Sequence, residues 1–174
     1  MTTTLFDIST GTYQRVLQST INVMQKGREH FEANDVPLQE MVEFRLCEDM
    51  MPLHFQIISV VHHSHGALTG VANGEFSPPS FAIDKSYDEL QRALTDALAG
   101  VQSFTEDQVN GFEETEVIFN LGKRKMPFDG GAFLKTFSLP NFYFHATTVY
   151  DILRLNGVPL GKMDFLVGMQ IKGQ

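Results

Sequence analysis

Histidine carries most of the chemistry this chain could do. His54, His62, His63 and His65 crowd one apolar-rich stretch, and His145 stands in PNFYFHATTVYDILRL. A zinc or nickel site asks for three protein ligands and an open position, and imidazole suits both metals. At about 100° per residue, Leu53, Ile57, Val60, Val61 and Leu68 share one apolar arc. His54 and His65 fall on its shoulder, His62 at its edge and His63 on the polar side. Further along, Phe142, Val149, Ile152 and Leu153 define an inward face that holds His145, with Asn141 one turn earlier on its edge. The metal candidates are therefore His54 and His145, with Asn141 or His65 as a third ligand. The competing reading of each is a core histidine hydrogen-bonded to a carbonyl, carboxylate or hydroxyl. No H-x-x-x-H or H-E-x-x-H pair stands against it.

Other chemistries find no foothold. Cys47 is the only cysteine and has no base beside it, so an internal disulfide and a Cys-rich zinc site are excluded. The sequence contains no G-x-S-x-G, Walker or G-x-G-x-x-G pattern. A net charge of −8 argues against nucleic acid as a partner, because phosphate binding needs a basic footprint. No basic-then-apolar leader opens the chain, and no apolar run approaches spanning length, so the cytoplasm is the expected address and a membrane partner is not expected.

Four helical segments have to position these residues. Tyr13, Val16, Leu17, Met24 and Phe31 recur at helical spacing from about Asp7 to Phe31. Asn34-Asp35-Val36-Pro37 ends that run. A second helix is expected from an Asp49 N-cap, with Pro52 in its first turn, to about Val71. Residues 73–85, with Gly74, Pro78 and Pro79, read as a surface loop. Ser86 and Glu89 form a capping box for a third helix carrying Leu90, Leu94, Ala97 and Val101. Thr105 caps one further turn. Residues 116–128 read as a β-hairpin turning at Gly122-Lys123-Arg124-Lys125. Gly130-Gly131 then leads into a last helix, about Ala132 to Leu155, kinked near Pro140. At 174 residues the whole chain, 1–174, is expected to form a single all-α domain, a four-helix bundle. Tyr143, Phe144 and Tyr150 on the outer flank of the last helix are too many aromatics to leave in water; the hairpin, the C-terminal tail or a second subunit is expected to cover them, and their surplus points to a homodimer.

Arg45-Leu46, Asp49-Met50, Pro52-Leu53, PNFYFH at 140–145 and YDILRLNGVPLGKMDF at 150–165 carry a family likeness. They resemble an uncharacterised bacterial family within the DinB/YfiT-like superfamily of metal-dependent enzymes. That resemblance implies a bundle of up-down-down-up order, often dimeric, with nickel or zinc held by three histidines. One of these comes from the second helix, and an H-x-x-x-H pair comes from the fourth. Some members are transferases or isomerases that use low-molecular-weight thiols. Carried onto this sequence, His145 takes the second place of that pair, Asn141 the first, and His54 the place on the second helix. The resemblance thus implies a metal-dependent transferase or hydrolase with a degraded three-histidine site. The alternative is a non-catalytic dimeric bundle that binds a small ligand or a protein partner.

Overall fold

The computed structural model describes residues 3–79 and 85–172. It is mostly helical, with a small three-stranded sheet. Its longer helices are α1 (Thr10–Ala33), α2, α3 (Tyr87–Gln102) and α4 (Leu139–Leu155). α2 runs from Leu53–Val61 through a π turn, His62–Gly66, into Ala67–Asn73. α1 and α2 each pack against both α3 and α4. The shared core includes Leu17, Met24, Leu53, Ile57, Leu90, Phe142 and Val149, all fully buried.

Capping residues set several of these boundaries as expected. Ser86 accepts from the Glu89 amide while the Glu89 carboxylate accepts from Ser86, and Thr105 and Gln108 repeat the arrangement ahead of the short helix Glu106–Asn110. α2 departs from expectation by beginning at Leu53 rather than after Asp49. Its first amides need no side-chain cap, because Leu53 donates to the Phe44 carbonyl and His54 to that of Val42. Gly74, at φ 77°, ends α2 in the left-handed region that glycine adopts without strain.

The hairpin is present as β2 (Glu116–Leu121) and β3 (Arg124–Asp129), paired antiparallel. The expected loop after α2 contains a strand instead. β1, the dipeptide Glu75–Phe76, pairs parallel with β2 and places Phe76 in the core. Residues 80–84 of that expected loop lie outside the described residues. The helical chain resumes at Gly130–Phe133, two residues before the expected Ala132 boundary, and passes through a second π turn, Leu134–Ser138, into α4. Pro140 lacks an N–H and crowds the carbonyl four residues before it. The wider π turn stands where that disturbance was expected as a kink.

Candidate functional site

The site lies where α2 and α4 cross antiparallel. Two contacts fix their register: Ser138 Oγ donates to the His63 carbonyl at 2.6 Å, and His145 Nδ1 meets Gln56 Oε1 at 2.7 Å. Advancing seven residues on one helix therefore retreats seven on the other. Helical side chains lean toward their own N-terminus, so on antiparallel neighbours His63 and His145 lean toward each other. Their rings lie 5.9 Å apart at 13°.

A polar seam runs between the two helices. Gln56, Ser59 and His63 are spaced i, i+3, i+7 on α2, and all are buried. Opposite them stand Ser138, Asn141 and His145. Aromatics close the space around the imidazoles: Phe76 and Phe137 lie 5.7 and 5.6 Å from the His63 ring, and Phe55 and Phe144 flank His145. A buried hydrogen-bond chain supports the seam from below. Ser138 spends its one proton on the His63 carbonyl, so the 2.7 Å contact with Tyr13 must have the Tyr13 hydroxyl as donor. Ser64 Oγ, in the π turn of α2, donates to the Val60 carbonyl one turn earlier.

Burial keeps both rings neutral. Removal from water pushes the His63 imidazole down to about 3, and the neighbouring His62 and His145 push it the same way. Burial alone holds His145 at about 4. His63 Nδ1 is buried and has no hydrogen-bond partner among the described residues.

The expected site residues are only partly brought together. His145 lies inward as expected. Asn141 is one turn away on the same edge, but its amide N–H donates to the Phe137 carbonyl of its own helix. His54 is buried on the other side of α2 from Gln56, its Nε2 3.6 Å from a Glu43 carboxylate oxygen. His65 shares that side and abuts α3, where a Cβ on Gly100 would meet its ring at 2.6 Å. The histidine that meets His145 is His63, which the sequence placed on the polar side of α2. The correction is physical: α2 is covered on two flanks, and its polar stripe faces α4 rather than solvent. Among the described residues no three His, Cys, Asp or Glu side chains converge where they could hold a metal ion. The donor set fits a borderline divalent ion in kind, as two neutral imidazoles with uncommitted nitrogens. It reaches three protein donors only through the Asn141 amide oxygen.

A mostly helical fold that faces a buried histidine, His63, with a half-buried one, His145, is the class of protein this geometry defines. Its backbone matches the crystal structure of a DinB family member from Shewanella denitrificans with a TM-score of 0.80. The two share 22% identity, and the match covers 98% of this chain and 96% of that one. Residues 5–166 match the family described as Domain of unknown function (DUF1993), and the chain belongs to that family. No curated protein matches the chain closely enough to count as a relative. No helix among the described residues is long and apolar enough to cross a membrane.

Proposed function

We propose that this protein is a divalent-metal-dependent enzyme, a transferase or hydrolase, built on a single DinB-like bundle of up-down-down-up order. Its ligand set is altered from three histidines. The observation that carries the reading is the facing pair His63 and His145, each neutral at pH 7 and each keeping a nitrogen without a hydrogen-bond partner among the described residues. His63 and His145 would hold zinc or nickel, with the Asn141 amide oxygen as the weaker third donor. A bound metal there supplies a Lewis acid or an activated water. Phe55, Phe76 and Phe137 beside the two rings limit competing solvent. A lone exposed thiol, Cys47, is in keeping with a reducing, cytoplasmic setting.

The test is metal content and affinity of protein prepared without a histidine tag. Stoichiometric zinc or nickel is expected in the parent protein and in His54→Ala, reduced in His63→Ala and absent in His145→Ala. Metal-free parent protein that takes up neither ion at micromolar concentration refutes the reading. Equal loss in His54→Ala refutes the ligand assignment.

A second reading, a dimeric binding module, draws on the outer face of α4. Tyr143 and Phe144 are 43% and 55% exposed beside Pro140 and Met50. A homodimer through this patch would cover them. A groove of about 770 Å³, lined by Ile58, His62, His65, Thr69 and Phe76 among others, is of a size that takes small ligands.

A further inference from the structure

Gln56 is an uncharged side chain in the core, only 2% exposed, and both ends of its amide are committed. Its Nε2 lies 2.8 Å from the Met51 carbonyl oxygen, and its Oε1 lies 2.7 Å from His145 Nδ1. A backbone carbonyl can only accept, so the amide N–H₂ must face Met51. Met51 stands just ahead of Pro52, where proline keeps the backbone out of the helical range. α2 starts two residues later, so this carbonyl stays outside its ladder and remains available to the Gln56 amide. With the N–H₂ end so fixed, Oε1 faces His145. That oxygen too can only accept, so His145 Nδ1 must carry a proton. A neutral imidazole has one proton, which leaves the lone pair on Nε2.

We infer that Gln56 is a positioning residue that locks His145 in the Nδ1–H tautomer, making Nε2 its basic and metal-ligating atom. The chain of constraint runs from the Met51 carbonyl through the Gln56 amide to the ring. The usual partner of a ligating histidine is a carboxylate or a backbone carbonyl, and a carboxylate also raises the basicity of the ring. Gln56 orients the ring without adding charge, so the site stays compatible with two adjacent imidazoles in an aromatic enclosure. The catalytic value of this arrangement rests on the metal-dependent reading above, but the tautomer itself does not.

The experiment is nitrogen-15 NMR of the histidine rings in protein stripped of metal with a chelator, with His145 assigned by the signal lost in His145→Asn. The expected spectrum shows a protonated Nδ1 and an unprotonated Nε2. Gln56→Leu, with its fold checked by circular dichroism, releases the ring toward the Nε2–H form. Gln56→Glu keeps an acceptor facing His145 and so keeps Nδ1 protonated, with the oxygen that then meets the Met51 carbonyl carrying a proton of its own. If Gln56→Leu does not fold, Gln56→Glu and the parent protein carry the test alone. An Nε2–H ring in the parent protein overturns the inference, as does a tautomer indifferent to Gln56→Leu. Zinc affinity of the same proteins is then measured, and Gln56→Leu is expected to weaken it 10- to 100-fold. Parent protein that binds no zinc yet shows the Nδ1–H ring would sink the metal reading and leave the tautomer assignment standing.

Discussion

Acidification tests the facing imidazole pair without any ligand. In the unfolded chain each ring takes a proton near its ordinary value of 6.5, whereas the folded protein holds His63 near 3 and His145 near 4. Between those values the unfolded state binds more protons, so stability falls as pH falls. The loss begins below about pH 6.5 and saturates only near the folded values. At about 1.4 kcal/mol for each pH unit below 6.5, moving from pH 7 to pH 5 costs roughly 2 kcal/mol for a fully buried ring. His145 is partly open to water, so its share is discounted, and the pair together should cost about 3 kcal/mol. Against a total stability of roughly 5–15 kcal/mol that is a large fraction. In urea it should lower the unfolding midpoint by about 1–2 M. Burial also lowers His62, whose Nε2 lies 2.6 Å from the Ser77 carbonyl oxygen, and it gives a constant background of the same sign. The assay is urea unfolding followed by circular dichroism at pH 7 and pH 5, for the parent protein, His63→Leu, His145→Leu and the double variant. Each single variant should remove part of the pH dependence and the double variant most of it. A midpoint that does not move in the parent protein refutes the reasoning, as does one that moves equally in the double variant.

Other perturbations probe the frame around the site. Ser138→Ala leaves the Tyr13 hydroxyl and the His63 carbonyl without their partner in the core, and should cost about 2–3 kcal/mol, read as a lowered melting temperature. Gly130→Ala puts a Cβ within 2.5 Å of the Phe112 carbonyl oxygen and 2.7 Å of Val71, where backbone must move, so a loss of about 3 kcal/mol or failure to accumulate as folded protein is expected. The paired change Tyr143→Ser and Phe144→Ser should leave thermal unfolding nearly unchanged while converting a sedimenting dimer to monomer. A parent protein already monomeric at micromolar concentration would remove that reading.

The helices and the hairpin were legible in the sequence because local rules agree with the tertiary structure there. Ser86 with Glu89, Thr105 with Gln108, and the alternation of Val117 and Phe119 ahead of Gly122 each favour one local geometry, and packing keeps it. β1 was not legible, because two residues cannot display a period. Glu75 and Phe76 become a strand only because β2 offers a parallel edge more than forty residues later. The start of α2 was misplaced for a related reason. Asp49 has the chemistry of a cap, but the carbonyls of Val42 and Phe44 already meet the first amides of the helix.

The site was half legible, and the missing half shows how a polar residue is read in a helix. His145 declared itself because apolar neighbours at helical spacing surround it. Gln56, Ser59 and His63 also share a face, but three polar side chains at i, i+3, i+7 look like a stripe turned to water. That inference assumes one buried face per helix, whereas α2 packs against α3 on one flank and α4 on the other. A second buried face made of polar residues survives only if its groups find partners. Those partners stand at matching height on α4 and the π turn that leads into it: Ser138 for the carbonyl of His63, and His145 for the amide oxygen of Gln56. Each stripe accounts for the other, so neither could be interpreted from its own helix. The sequence signal that does exist is the pairing itself, a Gln-x-x-Ser-x-x-x-His stripe on α2 against a Ser-x-x-Asn-x-x-x-His stripe on α4. Among the described residues the pairing leaves His63 Nδ1 buried without a partner, and the chemistry of this protein should be sought there first.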